Sequence, residues 1–528
     1  MTGRVAVVLL CSMLASAACG CAPAHKTASG KASTVDVLYE SDPQSAGKPS
    51  PPLEYWKGRK DLITAPLPPH PEALALPKIE RFKLKNGLDV LVVARKDLPV
   101  ASFGVAIKAG GYDEEKGKTL GVAGFAASML RRGTQARSAD QIAQAIDFVG
   151  GTLDTEASSE SSTATCSALA KDSRLCLDLL ADILLHPSFP EPEMAEVRDQ
   201  LLASLNNRYD SPGQLASEHF DNLVFGEKHP DGWVLMPEDV QKITRDQLVT
   251  FWRAFYRPNN AMLAVAGDVD AQRLRAELEK SFGAWQRAET PPRAVPKIPE
   301  LRETRLLLVD RPDLTQATVV LGHRGIRHAD PDWYAATLVN YVLGGSDFSS
   351  RLMIEVRAKR GLTYGIGSSF GASLYEGAFR VTASTKNETV WDALLATVGE
   401  LRRMKAEGPT ASELAKAKGY YAGSYPFNLQ TAAGIAASIV AAEQHGLGLG
   451  YVRELPLRLA AADEAAAKRV GGDRLHPDNL WVVVVGKAAE IEPQIVKAGI
   501  GYERINFKDP ISYGARNRLR RSQQPAKP

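Results

Sequence analysis

An arginine and a tyrosine seven positions apart, Arg357 and Tyr364, carry side chains that could take part in catalysis. A guanidinium and a phenol both donate hydrogen bonds, and such donors suit an oxyanion that develops in a partly desolvated site. The pattern predicts a helix over Phe348–Arg360 and a strand that starts near Tyr364, so two rigid elements would aim the donors. The alternative is structural, because the helix dipole favours arginine near a C-terminus and tyrosine is an ordinary strand residue.

Other catalytic chemistries find little support in the sequence. None of the nine histidines is three or four positions from another, so no helix face carries a histidine pair. His323 and His328 are five positions apart beside two arginines, and we interpret them as loop or surface imidazoles. There is no Gly-x-Ser-x-Gly elbow, and Gly344-Gly345-Ser346 is too short for a phosphate loop. We interpret it as a turn ahead of a helix that Ser349 or Ser350 caps.

A second stretch, Thr119–Thr134, reads TLGVAGFAASMLRRGT. Its apolar residues recur at steps of three and four, which predicts a short helix, and Gly133 is placed to end it. On this helix Gly124 and Ser128 are four positions apart and share one face.

Both stretches resemble the pitrilysin/insulinase family of zinc peptidases, which includes the mitochondrial processing peptidases. The family carries G-x-x-H-x-x-E-H-M-x-x-x-G-T here, with two histidine ligands for zinc and a glutamate that acts as general base. The frame matches at Gly121, Met129, Gly133 and Thr134, whereas the three chemical positions are Gly124, Ala127 and Ser128. None of those three can bind zinc as an imidazole does or act as the base.

The resemblance also places a third zinc ligand, a glutamate, on a later helix. The corresponding segment, 200–205, contains no carboxylate. Glu193, Glu196 and Asp199 lie one or two turns earlier, and we interpret them as a solvated face. The sequence therefore predicts no catalytic metal in this chain.

The block at 350–364, SRLMIEVRAKRGLTY, is close to the family pattern S-R-L-x-x-x-L-R-E-x-x-G-L-x-Y. In active members an arginine and a tyrosine of this block contact the substrate near the scissile bond, and the matching residues are Arg357 and Tyr364. Some bacterial relatives divide the work between two homologous chains. The resemblance thus implies a non-zinc subunit of a heterodimeric peptidase that acts on peptide or unfolded polypeptide, with zinc expected in the partner subunit.

The family binds peptide by adding a strand to a sheet edge that follows a Gly-Gly turn. Here that turn is Gly150-Gly151, and an edge strand is equally plausible as plain sheet structure. The predicted substrate-binding residues are Leu153, Asp154, Thr155, Glu156, Ala157 and Ser158.

The chain repeats itself at an offset of about 220 residues. The segment 255–267 ends a helix with a Pro-Asn turn and enters a buried strand, and 475–486 does the same with Pro-Asp. We predict an α+β fold of two homologous domains, each a largely antiparallel sheet backed by helices. The resemblance spans about 77–505, and the predicted domains are 77–290 and 301–507, joined by a Pro-rich linker at 291–300.

The N-terminus, 1–21, has the pattern of a bacterial export signal. Ser16-Ala17-Ala18 resembles a lipobox, so Cys19 (or Cys21) is the candidate lipidated residue, with simple secretion as the alternative. Residues 22–76 predict a flexible tether and 508–528 a disordered basic tail. The chain is thus expected in the periplasm, anchored to a membrane by lipid. Cys166 and Cys176 could pair there, but we expect two separate buried thiols, since one lies in a strand and the other in the following helix.

The composition and net charge of the chain exclude few other functions. The 528 residues are 44% hydrophobic and 24% charged, which is typical of a globular protein with sizeable cores. A formal net charge of +3 gives no reason to expect nucleic acid as a partner. Besides the heterodimeric peptidase, the alternative is a non-enzymatic peptide-binding or assembly protein on the same scaffold.

Overall fold

The computed structural model describes residues 73–371, 373–509 and 511, all within one compact unit, Pro68–Pro528. The predicted export signal, with Cys19 and Cys21, and most of the predicted tether and tail lie outside the described residues. Leu74 and Leu76, at the end of the predicted tether, already pack against an apolar cluster of the structure. In the described part of the chain, no helix is both long and apolar enough to cross a membrane.

The first sheet has six strands in the order β1-β2-β6-β3-β5-β4. Only β2 and β6 run parallel; the other neighbours are antiparallel. Asn86-Gly87 turns the β1–β2 hairpin, and the φ of +95° at Gly87 explains the glycine there. The strands are β1 Ile79–Lys83, β2 Asp89–Ala94, β3 Val100–Ile107, β4 Thr152–Ala157, β5 Ser162–Leu169 and β6 Ala261–Gly267.

The second sheet repeats this plan in the order β12-β7-β11-β8-β10-β9. β7 and β11 pair in parallel, as β2 and β6 do, and β9 lies at the edge, as β4 does. The outer strand differs, because β12 comes from the end of the chain and pairs in parallel with β7. The strands are β7 Arg305–Asp310, β8 Gln316–Arg324, β9 Gly365–Phe370, β10 Ala378–Lys386, β11 Trp481–Gly486 and β12 Tyr502–Asn506. The predicted duplication and the α+β fold are confirmed.

Helices cover both faces of each sheet. Most carry an apolar stripe toward their own sheet, and several begin at a side-chain cap of the kind that Ser138 provides for Gln141 N. In the first half they are α1 Val122–Met129, α2 Ala139–Phe148, α3 Ser173–Leu185, α4 Glu191–Asn207, α5 Pro212–Phe225, α6 Pro237–Lys242, α7 Arg245–Phe255 and α8 Ala271–Phe282. In the second they are α9 Trp333–Asn340, α10 Met353–Lys359, α11 Val390–Glu407, α12 Ala411–Ser424, α13 Ala432–Gln444, α14 Gly450–Ala461, α15 Glu464–Arg474 and α16 Ala488–Lys497.

The two halves exchange one helix each. α5 of the first half lies on β8 and β11 of the second sheet, and α13 of the second half lies on β3 and β6 of the first. Each central strand is therefore buried on both faces, which explains the unbroken apolar runs of β6 and β11. The sequence patterns did not indicate this exchange.

The expectation of two separate thiols is wrong, because Cys166 and Cys176 form a disulfide. A 3-10 turn, Ala170–Asp172, folds α3 back onto β5 directly after the strand ends. This brings the two Cα atoms to 5.5 Å, within the range that a disulfide requires. Both sulfurs lie in the core that α3 forms with the sheet.

Candidate functional site

Arg357 lies near the end of α10, a helix with π-type turns, and Tyr364 directly precedes β9. Ser350 caps the helix by accepting a hydrogen bond from Met353 N, as predicted for one of the two serines. The helix begins after Phe348, later than expected, so Phe348 lies in a turn. At the other end Gly361 has a φ of +64°, which ends the helix and redirects the chain into the edge strand.

The backbone around Tyr364 is firmly held, and its side chain is exposed. Thr363 is buried, and its hydroxyl donates to the Ser384 carbonyl at 2.5 Å. Thr385 in turn donates to the Leu362 carbonyl at 2.5 Å. Tyr364 itself is 84% exposed. The strand β10 therefore fixes the position from which an exposed phenol projects.

The structure brings Arg357 and Tyr364 together, with the guanidinium carbon 4.9 Å from the centroid of the tyrosine ring. The same carbon lies 4.8 Å from the ring of Phe348, a residue that the sequence analysis did not single out. Phe348 is 72% exposed. The sequence placed Phe348 only at the start of the predicted helix, and no pattern marked it as a contact of Arg357. We call these three residues the aromatic–arginine cluster.

Arg357 has no acceptor among the described residues, although carboxylates are near in sequence. Glu355, two positions before it, forms ion pairs with Lys359 and Arg360 at 2.9 Å each. A half-buried guanidinium that contacts two rings and lacks an ion-pair partner keeps its N–H groups available for an acceptor from another molecule.

The other arginine of this block has a different role. Arg351 is buried and makes a two-pronged ion pair with Glu413, at 2.8 and 2.6 Å, and also donates to the Gly408 carbonyl. It ties the start of the helix to the turn before α12, and this pairing lowers the pKa of Glu413 to about 2. Arg351 thus stabilises the fold through an ion pair, whereas Arg357 has no ion-pair partner among the described residues.

The zinc-motif positions lie on α1, which packs against β4. Ser128 donates its hydroxyl proton to the Gly124 carbonyl at 2.9 Å, and a Cβ added at Gly124 would meet open space. Ala127 is buried, and its carbonyl accepts from the Thr155 hydroxyl. No three His, Cys, Asp or Glu side chains among the described residues are grouped closely enough to hold a metal ion. The side chains present here do not fit zinc.

Glu114 holds the start of α1. Its buried carboxyl accepts from Gly121 N at 2.9 Å and Ala123 N at 2.6 Å, two donors that the helix leaves free. Burial raises the pKa of Glu114 to about 7. Glu114 therefore stabilises the start of this helix through Gly121 and Ala123, without a contact to Gly124, Ala127 or Ser128.

The predicted solvated face of α4 is confirmed for Glu196 and Asp199, which are exposed. Glu193 is half-buried, and Arg132 pairs with it at 3.4 Å and with Glu196 at 3.6 Å. Glu193 and Glu196 thus already have a cationic partner in Arg132.

The predicted docking strand is at the edge of its sheet, as expected, and spans Thr152–Ala157. Arg131 donates to the Leu153 carbonyl at 2.9 Å, so one main-chain acceptor of the strand is already engaged. Ser158 lies in the turn that follows, where its carbonyl accepts from Gly111 N. The side chains of Asp154 and Glu156 are exposed.

A polar junction between the halves was not foreseen. Glu160, in the β4–β5 turn, lies 3.0 Å from His445 Nε2, and His445 Nδ1 lies 3.0 Å from His328 Nδ1. The last group in this series of hydrogen bonds is the Tyr451 hydroxyl, 2.9 Å from His328 Nε2. His328 is half-buried in a loop, whereas His323 lies in β8 and is buried, so the surface interpretation is wrong for His323. β8 turns that side chain inward, against Phe379.

The protonation states of Glu160 and His328 indicate which atoms donate in this series of hydrogen bonds. Burial raises the pKa of Glu160, but hydrogen bonds from His445, Ser373 and Leu374 outweigh it and lower that pKa to about 2. The carboxylate is thus ionised and accepts from His445 Nε2. Burial and the neighbouring His445 lower the pKa of His328 to about 4, so His328 is neutral near pH 7.

The chain is similar to known peptidase sequences over most of its length. The family described as Insulinase (Peptidase family M16) matches residues 90–238, and the one described as Peptidase M16 inactive domain matches 242–421. A protein of Mycobacterium tuberculosis named an uncharacterized zinc protease is 32% identical over 69% of this chain and 82% of its own. A Streptomyces coelicolor protein with the same kind of name is 30% identical over 67% of this chain and 77% of its own.

Solved structures agree with this assignment. A peptidase M16 inactive domain from Pseudomonas fluorescens has a TM-score of 0.73 and 26% identity, covering 78% of this chain and 98% of that one. A protease from Helicobacter pylori has a TM-score of 0.72 at 23% identity over 78% of this chain and 100% of that one, and shares the fold. The chain described here therefore belongs to the insulinase (M16) family of peptidases.

Proposed function

We propose that this chain is the non-zinc subunit of a heterodimeric peptidase of its family. It lines the substrate chamber and supplies Arg357 and Tyr364, while a homologous partner that keeps the His-x-x-Glu-His motif holds the zinc. The observation that carries the proposal is the contact between Arg357, which has no acceptor in the described ranges 73–371, 373–509 and 511, and an exposed Tyr364 on anchored backbone. The positions Gly124, Ala127 and Ser128 support it, because their side chains do not fit a metal.

In this role both residues donate hydrogen bonds to the scissile carbonyl oxygen as negative charge develops on it. Donors that are already in place stabilise such charge without reorganising during the reaction. The anchoring of residues 361–365 by Thr363 and Thr385 supplies that preorganisation for Tyr364. The edge strand Thr152–Ala157 would hold the peptide through its main chain, in the part of the edge that Arg131 leaves open.

The test is reconstitution with a homologue that keeps the intact motif. The chain alone should hydrolyse nothing, and the mixture should cleave unfolded polypeptide. Arg357→Ala and Tyr364→Phe should each lower turnover by about 10²–10³-fold, the loss typical of an oxyanion-hole donor. Arg360→Ala and Tyr420→Phe are matched controls, because both residues are exposed and neither belongs to the cluster. Unchanged turnover in the Arg357 and Tyr364 variants would leave a peptide-binding or assembly role instead.

We also propose that the protein is exported and anchored through lipid on Cys19 (or Cys21). The disulfide between Cys166 and Cys176 supports an oxidising compartment, since such bonds persist outside the reducing cytosol. Replacing both Cys19 and Cys21 with serine should move the protein from the membrane fraction to the soluble fraction. Retention in the membrane fraction would refute the lipid anchor.

A further inference from the structure

We propose that a cavity beside the Pro-rich linker binds a phosphate group, as the free ion or as a small ester, through Arg302, Arg324 and His476. The cavity has a volume of about 250 Å³ and lies where the chain leaving the linker meets the end of β8 and the start of β11. Pockets for drug-sized ligands measure roughly 300–1,000 Å³, so this one suits a smaller group. The site contains neither Arg357 nor Tyr364, and the proposal does not depend on the proposed function.

The backbone of the cavity wall is held by buried His323. Its Nε2 accepts a hydrogen bond from the His476 backbone N–H at 3.1 Å, and its Nδ1 donates to the Arg324 carbonyl at 2.7 Å. Burial lowers the pKa of His323 to about 3, so the ring is neutral and each nitrogen has one partner. The imidazole of His476 packs edge to face on this ring, with the centroids 4.8 Å apart. Two of the proposed ligand contacts therefore project from fixed backbone.

The two arginines of the cavity keep their terminal nitrogens available. Arg324 Nε lies 3.7 Å from a carboxylate oxygen of Glu376, which is longer than a hydrogen bond, and both side chains are more than 40% exposed. Solvent weakens such a pair. Within residues 73–371, 373–509 and 511, the exposed Arg302 has no side-chain partner. Guanidinium groups of this kind bind phosphate with two parallel N–H donors.

The charges around His476 are mostly positive. Burial lowers the pKa of His476, and Lys405, Arg324 and Arg474 lower it further. Arg474 is paired with two aspartates, whereas the Lys405 ammonium donates to two main-chain carbonyls and has no carboxylate partner in the described part of the chain. The acidic residue of the cavity wall is Glu300, which is exposed. A concave surface with this balance of charge attracts anions.

Charge and geometry favour phosphate over a carboxylate. A phosphate ester carries about −1.5 to −2 charges near neutral pH and offers three strong acceptor oxygens. Arg302, Arg324 and His476 could then each donate to a different oxygen. A carboxylate has one charge and two oxygens, so it would leave one of the three donors without an acceptor.

The first experiment is calorimetric titration of the full chain, at physiological ionic strength, with inorganic phosphate, glycerol 3-phosphate and acetate. We expect a dissociation constant of about 1 mM or lower for at least one phosphate probe, and binding at least about tenfold weaker for acetate. The phosphate probe that binds more tightly identifies the free ion or the ester as the preferred ligand.

Variants test which residues bind the probe. Arg302→Gln and Arg324→Gln should each weaken phosphate binding about tenfold or more, because each removes a charged hydrogen-bond donor. Glu300→Gln should strengthen binding, because it removes a repelling charge. Arg253→Gln is the control, since Arg253 is also exposed and lacks a side-chain partner among the described residues. Absence of phosphate binding, or equal binding by wild type and both cavity variants, overturns the proposal.

The second experiment locates the bound anion. In the chain labelled with ¹³C at histidine Cε1, the His476 resonance is assigned from His476→Asn and followed with pH. Phosphate should raise the pKa of His476, because a nearby anion favours the imidazolium. The resonance of the exposed His186 should stay in place. A His476 resonance that titrates identically with and without phosphate would overturn the assignment of this cavity.

Discussion

At the residue scale, Arg351 and Arg357 lie six positions apart but make different kinds of contact. Arg351 is buried and bonded to Glu413 and the Gly408 carbonyl, whereas the described part of the chain offers Arg357 only ring contacts. Both belong to one sequence block, so the block by itself does not say which arginine serves the fold. Burial and partners separate them.

This contrast predicts different effects on stability. Arg351→Ala should lower the free energy of unfolding by about 2–3 kcal/mol, less than for a fully buried pair because Glu413 keeps some solvent contact. Arg357→Ala should change it by no more than about 0.5 kcal/mol, as is usual for a substitution that breaks no buried contact. Denaturant titration of both variants would measure this. Equal losses would show that Arg357 is structural after all.

At the element scale, short connections do much of the positioning. The 3-10 turn Ala170–Asp172 sets α3 against β5, and Gly361 sets β9 against α10. In each case a connection of only a few residues determines which side chains come into contact. The disulfide Cys166–Cys176 and the Arg357–Tyr364 contact both follow from such connections.

The disulfide gives a prediction for this element pair. Its ends are 10 positions apart, so cross-linking removes loop entropy from the unfolded chain worth about 2–3 kcal/mol. The double variant Cys166→Ala, Cys176→Ala should lose at least that much stability, because it also leaves a small cavity in the core. Thermal unfolding with and without a reductant checks this. Wild type should respond to the reductant, and a response of equal size in the double variant would contradict the assignment.

At the scale of the whole molecule, the helix exchange makes the halves interdependent. α5 covers Val320 and Val483 of the second sheet, and α13 covers Leu91 and Ala264 of the first. Ion pairs also cross between the halves, among them Arg81–Glu443 at 3.0 Å and Arg380–Asp221 at 2.7 Å. Neither sheet is covered on both faces without the other half.

We therefore expect the separate halves, 73–290 and 301–511, to be insoluble or unfolded when expressed alone, and to recover when expressed together. The reason is that each would expose a sheet face that a helix of the other normally buries. Solubility and circular dichroism would report the outcome. As a control, the intact chain cut at a protease site inserted within 291–300 should stay folded. A soluble, folded single half would refute the interdependence.

The junction between the halves predicts sensitivity to acid. The folded-state pKa of His328, about 4, lies below its ordinary value of 6.5, so its contribution to stability is complete above pH 6.5 and falls toward pH 4. The pKa of Glu160, about 2 against an ordinary 4.5, adds a loss below pH 4.5.

The melting temperature should thus fall by several degrees between pH 7 and pH 4 in wild type. His328→Gln should make the slope between pH 6.5 and pH 4 shallower, since glutamine does not titrate. The remaining slope should come from His219 and His323, because burial lowers their pKa values to about 4 and about 3. The exposed His186, changed to glutamine, serves as the control and should leave the profile unchanged. A pH profile of His328→Gln that parallels wild type would remove His328 from the acid response.

Local patterns in the sequence determined the helices, the strands and the duplicated α+β plan. Side-chain periodicity and turn residues act over a few positions, and the run Ala261–Gly267 or the pair Asn86-Gly87 can be interpreted without knowing the fold. That Gly124, Ala127 and Ser128 carry neither an imidazole nor a carboxylate was likewise plain from the sequence, because it is a matter of residue type. The block that carries Arg357 and Tyr364 was also identified there.

Only the tertiary structure decided which distant residues meet. The helix exchange, the contacts from Glu160 to His445, the place of Phe348 beside Arg357 and the disulfide all depend on how the chain returns to itself. Such contacts join positions that are ten to nearly three hundred residues apart or lie across a turn. Their geometry is set by packing of whole elements, which local propensity does not encode.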